Sequence, residues 1–186
     1  MVFIGRHSSA KRGTPVVSAP PVVPSLDEPA ELRRQEAVDS LGLSEHAEDR
    51  YDRIVDMARS LYHTELAAFS VIDGNREWFK SSTGSALTQV DRCDSFCSVM
   101  IQEEGALVVA DTTLDPRFSS NPGVTGPMGI RFYAGVPILS RDGVKVGALC
   151  VSSTEPRTDV DAAILEQLAL LIQAELTMTP SYSSVG

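Results

Sequence analysis

The chain has 186 residues, 42% of them hydrophobic and 22% charged, which is the balance of one soluble globular domain with a tail. Net charge is −9, and the first 26 residues carry only Arg6, Lys11 and Arg12, so the remainder carries −12; phosphate backbones repel such a domain, which argues against a nucleic-acid binder. No apolar run approaches the roughly 20 residues that cross a membrane, and no signal-peptide core opens the chain, so a cytoplasmic protein without membrane contact is expected. Cys93, Cys97 and Cys150 are too few, and odd in number, for a disulfide framework, and are expected as thiols.

Residues 1–26 are rich in Ser, Pro, Val and Ala, and Pro15, Pro20, Pro21 and Pro24 forbid a helix or central strand there. They read as a disordered leader, with a domain over 27–178 and a tail over 179–186. Asp27 caps a first helix with Pro29 in its first turn, and Ala30, Ala37, Val38 and Leu41 form a modest apolar stripe ending near Gly42. Ser44 is a second N-cap, followed by an amphipathic helix over 45–63 on Tyr51, Ile54, Val55, Ala58, Leu61 and Tyr62.

The periodicity then changes. Residues 66–72 read as a buried strand, Asp73-Gly74-Asn75-Arg76 as a hairpin turn, and 77–82 as the return strand with Trp78 and Lys80 alternating against Phe79 and Ser81. A short helix over 95–102 and a short strand over 106–110 follow. Residues 111–130 are dense in Gly and Pro, and so long an irregular stretch is usually a functional lid or disordered. Strands over 131–140 and 145–153 flank the turn Arg141-Asp142-Gly143, with an irregularity expected at Gly135 and Pro137. Thr158 and Asp161 make a capping box for a last helix whose apolar stripe is wider than one face needs. Two antiparallel hairpins with helices at both ends imply an α+β fold.

Within this order, the segment 90–133 crowds charged, aromatic, cysteine and turn residues into connections, yet holds no complete nucleophile, metal or phosphate motif. It points to recognition rather than catalysis. Trp78-Phe79-Lys80-Ser81, Arg92 with Ser95-Phe96-Cys97, Asp115-Pro116-Arg117-Phe118, Asn121-Pro122, residues 130–135, Asp142-Gly143 and Gly147-Ala148-Leu149-Cys150 together resemble GAF domains, most closely the branch found beside sensor histidine kinases and diguanylate cyclases. The resemblance implies a PAS-related antiparallel sheet of five to six strands, commonly in the order 2-1-5-4-3. It also implies terminal helices on one face and a lidded pocket on the other. Carried over residue by residue, it puts Trp78, Phe96, Cys97, Asp111, Arg117, Phe118, Asn121, Arg131 and Tyr133 on the pocket side.

The departures from the family pattern are informative. Val99 stands where many relatives carry His, Cys97 is followed by Ser98 rather than the His of bilin-binding members, and the cyclic-nucleotide signature is not recognisable. No output segment is seen after Met178, so signalling through a protein partner is expected.

Arg117 and Arg131 suit a ligand carboxylate or phosphate, but the acids Asp111 and Asp115 beside them favour loop-pinning pairs. The aromatics form either a ligand box or plain core. Cys93, Cys97 and Cys150 are redox candidates, though they lack the four-ligand set of structural zinc. His63, at a helix end, reads as a polar cap rather than a haem ligand. The resemblance thus implies a non-enzymatic sensory module without cofactor or metal, binding a small molecule or protein partner and forming a homodimer through its terminal helices, in a bacterial-type signalling system. One alternative is a GAF-fold free methionine sulfoxide reductase or thiol redox sensor using Cys97 with Cys93 or Cys150. Another is a ligand-free dimerisation domain.

Overall fold

The computed structural model describes residues 27–178; the expected leader and tail, 1–26 and 179–186, lie outside the described residues. Among the described residues, five α-helices and six strands follow one another as α1 Glu28–Ser40, α2 Asp49–Tyr62, β1 Leu66–Asp73, β2 Arg76–Thr83, β3 Gln89–Asp91, α3 Phe96–Met100, β4 Leu107–Val109, α4 Pro122–Thr125, β5 Phe132–Leu139, β6 Lys145–Ser153 and α5 Ala163–Met178. The strands form one antiparallel sheet in the order β3-β2-β1-β6-β5-β4. This is the order the resemblance implies, extended by β3 at the β2 edge.

Helices α1, α2 and α5 cover one face. Asp27 caps α1 as expected, accepting from the Ala30 amide at 3.0 Å. The helix docks less by its apolar stripe than by charge. Arg34 is buried and donates to the Ile72 carbonyl, while Glu31 accepts from both Arg34 and Arg92. Burial alone would raise the Glu31 carboxyl, but the hydrogen bonds from the two guanidinium groups outweigh it and hold the group at about 2.

Helix α2 starts at Asp49, later than Ser44 and its spacing predict. The cause is Lys80, buried under the helix layer. Its ammonium takes the carbonyls of Ser44 at 2.7 Å and His46 at 2.6 Å and the Glu48 carboxylate at 2.6 Å. These bonds hold the carbonyls of the segment toward the cation rather than along a helix axis. At the other end, His63 has φ 51° and closes α2 in the left-handed region. The last carbonyls, of Tyr62 and His63, accept from Arg157, so the expected His63 cap is replaced by a distant arginine.

The β1–β2 turn falls at Gly74-Asn75 as expected, with Gly74 at φ 56°. A bulge then skips Lys80 in the β1–β2 register, so the expected alternation of Lys80 against Ser81 is broken. Ser81 donates to Asp52 of α2 at 2.6 Å, on the same face as Lys80. In β5, Gly135 and Pro137 pair in regular register with Cys150 and Ala148, and the expected irregularity falls instead between Ile138 and Leu139. Pro137 is tolerated because β4 reaches only to Gly135, which leaves its missing N–H on an unpartnered edge. Gly135 leaves room for a neighbouring ring. A Cβ there would lie 2.3 Å from the Tyr133 hydroxyl, which folds back over it.

The expected Thr158 capping box does not form. Asp159 is left-handed at φ 58°, and α5 begins only at Ala163, whose amide is capped by Asp161 at 2.9 Å. The Tyr62 hydroxyl, held by the Asp161 carbonyl, accepts the Leu165 amide at 3.0 Å and locks this start to α2. Tyr51, Val55, Phe69, Phe132, Leu149, Leu165 and Ile172 fill the core between these helices and the sheet.

Candidate functional site

The other face of the sheet is covered by α3, α4 and the connections around them. Each piece is held by a short polar tie. Ser95 caps α3, accepting from Ser98 at 2.8 Å. Asn121 caps α4 through Gly123 at 2.7 Å, and its amide nitrogen reaches the Asp94 carbonyl at 2.8 Å, so one buried side chain joins the two lid helices. Arg131 donates to the carbonyls of Val124 at 2.9 Å and Ile130 at 3.0 Å, closing the loop on itself. Thr112 takes the Ile130 carbonyl at 2.7 Å.

An aromatic stack runs through this layer. Phe118 lies on Phe96 with centroids 4.7 Å apart, and Phe96 lies on Tyr133 of the sheet at 5.2 Å. The stretch 111–130 is thus an ordered lid rather than a disordered one.

Between lid and sheet lies a cavity of about 390 Å³. Its floor is Ala68, Glu77, Phe79, Tyr133 and Cys150, from β1, β2, β5 and β6; its roof is Phe96, Cys97, Asn121, Pro122, Gly123, Met128 and Ile130. The exposed residues Ser82, Leu87 and Asp91 mark its rim, where β2 passes to β3. Its volume and its largely apolar walls are those of a small-molecule pocket.

Of the residues expected on the pocket side, Phe96, Cys97, Asn121 and Tyr133 line this cavity. Phe118 stands behind Phe96 as a support. Trp78 corrects the expectation, since it packs into the helix-side core on the opposite face of the sheet. Asp111 is turned to the Thr113 amide and hydroxyl, whose hydrogen bonds hold its carboxyl below the usual range. Arg117 sits 41% exposed on the outer surface, bound to Asp115 at 2.7 Å and Glu103 at 2.8 Å, and Arg131 is engaged with carbonyls. Neither arginine lines the cavity; the expected acid pair forms for Arg117 with Asp115, whereas Arg131 ties the loop through carbonyls instead of through Asp111.

Glu77 and Phe79 are among the lining residues absent from the expected set. The signal was present in the alternation of β2. Once Trp78 faces the helices, its neighbours on either side must face the cavity.

The thiols divide three ways. Cys93 is exposed on the 3-10 turn Arg92–Asp94, outside the cavity. Cys97 is buried and Cys150 half-buried, and both line the cavity. The neighbouring Cys150 thiol and burial push Cys97 well above its usual range, and the negative charge of Glu77 adds to the effect. Burial likewise raises Tyr133, whose hydroxyl donates to the Cys97 sulfur at 3.3 Å. Among the described residues, no three His, Cys, Asp or Glu side chains are placed to share a metal ion, and no helix is long and apolar enough to cross a membrane.

The GAF domain family model matches residues 46–176. The chain belongs to the GAF family. As a GAF domain it is a sensory or regulatory module. It is 43% identical over 150 residues to a cyclic di-GMP phosphodiesterase of Pseudomonas aeruginosa, a match that covers 78% of this chain but only 26% of that protein. The chain therefore spans about a quarter of its curated relative. Among solved structures, it is similar to a free methionine-R-sulfoxide reductase from Neisseria meningitidis in complex with its substrate, at TM-score 0.58 and 18% identity over 82% of this chain and 93% of that one. It is also similar to the GAF domain of a phosphoenolpyruvate-protein phosphotransferase from Coxiella burnetii, at TM-score 0.58 and 13% identity over 80% and 92%. At such identities these likenesses establish the fold alone.

Proposed function

We propose that this GAF domain is a non-enzymatic, cytoplasmic sensory module of a bacterial signalling system that binds one small organic molecule between sheet and lid. The observation that carries this reading is the cavity itself, about 390 Å³ of largely apolar space roofed by a lid that polar ties hold in place. A ligand there touches α3, α4 and the sheet together, and so biases the lid between two states.

Dimerisation through the terminal helices belongs to the same proposal. Ile164 and Leu171, one heptad apart on α5, are 51% and 48% exposed, and Leu61 of α2 is 50% exposed. Leu171→Glu is expected to leave a folded monomer, whereas Leu168, buried at 5%, serves the core. A protein partner takes the signal onward.

A second reading has one specific observation in its favour, two neighbouring thiols inside the cavity. A thiol redox centre or methionine sulfoxide reductase would need one of them as thiolate. The environment of Cys97 opposes that form. Native mass spectrometry of the freshly purified full chain tests the main reading, which expects a dimer carrying a retained small molecule or taking one up. Thioredoxin-dependent reduction of free methionine sulfoxide, lost in Cys97→Ser, would replace it with the second.

A further inference from the structure

Glu77 is 3% exposed on the floor of the cavity, and its Oε1 has no hydrogen-bond partner. A buried carboxylate oxygen without a donor is costly, and structures keep one where something else supplies the donor. Of the wall's side chains the Cys97 thiol lies beside Glu77 as a weak donor, and no cation does. Asn121, the one amide there, spends its nitrogen on the Asp94 carbonyl and its oxygen on the Gly123 amide. Among the described residues, the ionisable groups lining the cavity are Glu77, Asp91, Asp94, Cys97, Cys150 and Tyr133; none is Lys, Arg or His. Asp91 and Asp94 lie toward the exposed rim and Glu77 at the floor, so an entering molecule meets negative charge throughout. The space between is apolar and aromatic, with Phe79, Phe96 and Tyr133 on the walls.

We propose that the ligand class of this cavity is a small organic ammonium: an apolar, preferably aromatic, body bearing one protonated amine that donates to the Glu77 carboxylate. This rests on the reading of the cavity as a ligand site. The charge-assisted bond satisfies the orphan oxygen, and the aromatic walls bury the body and tolerate the cation beside them. A carboxylate or phosphodiester ligand is excluded by the same wall, since its charge would be buried against Glu77 with no cation in reach. The discrimination is strong against a ligand with no hydrogen-bond donor, which leaves a buried acceptor unpaired, and smaller against a neutral O–H donor, which lacks the charge.

The test uses the full chain labelled with ¹³C at the methionine methyls, because Met128 lines the cavity and reports occupancy directly. Three probes share one phenylethyl frame: phenethylamine, 2-phenylethanol and 3-phenylpropionate. The expected result is a Met128 shift that saturates with phenethylamine at a Kd about tenfold or more below that for the alcohol, with the carboxylate weakest. In Glu77→Gln the amine's advantage disappears while the alcohol binds as before. Should that variant not fold, the selectivity of the wild-type chain decides alone. Equal or tighter binding of the alcohol or the carboxylate overturns the ammonium assignment while leaving the cavity a ligand site. If none of the three moves Met128, the ligand-site reading falls with it.

Discussion

On the helix-covered face, Tyr51, Phe69, Phe132, Leu149, Leu165 and Ile172 are all completely buried. On the lid-covered face the chain leaves about 390 Å³ open. The difference lies in what does the covering. Helices α2 and α5 are 14 and 16 residues long and present a repeating stripe that interdigitates with the pleat. Helices α3 and α4 have five and four residues, too few for a stripe, and their position is set by capping and carbonyl contacts. Packing by side chains closes space. Positioning by backbone ties fixes a shape without filling it, which is how one sheet can have a solid side and a receptive side.

The comparison is tested most severely by a matched pair of phenylalanines, each at most 1% exposed. Phe69→Ala on the helix face is expected to cost about 3–5 kcal/mol in urea unfolding. Phe118→Ala under the lid is expected to cost about 2–3 kcal/mol because the lid can settle into the gap, and to speed amide exchange over 111–131 selectively. Equal costs with no local exchange would make lid and core one unit.

Acid comes next. Glu31 titrates at about 2 when folded and near 4.5 when free, so the stability it contributes is present above pH 4.5 and is lost as pH falls toward 2. Being partly exposed, it is worth about 1–2 kcal/mol after screening, and Glu31→Gln should flatten that limb of the stability–pH curve. Asn121→Ala is expected to cost about 1–2 kcal/mol, through a lost cap and a lost buried hydrogen bond, with exchange rising in α3 and α4 together. Arg117→Ala should cost about 0.5 kcal/mol or less, since its pairs are exposed. A larger loss there would move the anchor of the lid from Asn121 to the arginine.

Local chemistry made much of this fold legible. Asp27 with Pro29, the turn Gly74-Asn75, the turn at Asp142-Gly143 and the Gly/Pro density of the lid each act within a few residues, and each falls where it reads. The misreadings share the opposite property. Ser44 caps no helix because Lys80, far along the chain, claims its carbonyl. Thr158 is idle because Tyr62 and Asp161 set the start of α5. Trp78 lies on the face opposite to the expected one because alternation says which residues share a face, not which face meets the helices. Arg117 and Arg131 look equal in sequence, yet only distance shows that one serves the outer surface and the other the loop carbonyls.

The pairing of β1 with β6 bears on how the chain reaches this structure. Leu66 sits against Ser152 and Val71 against Gly147, where a Cβ would come within 1.9 Å of the Ser70 carbonyl. The strand at the centre of the sheet therefore waits for a partner made well after its own hairpin. Until then one edge of β1 stands open beside its own hairpin. Such long-range closure belongs to slowly folding topologies, on the order of milliseconds to seconds. The interval is one in which an unpaired apolar edge is exposed to other chains. A side chain larger than hydrogen at Gly147 would act at that step, hindering the join that turns two separate hairpins into one sheet.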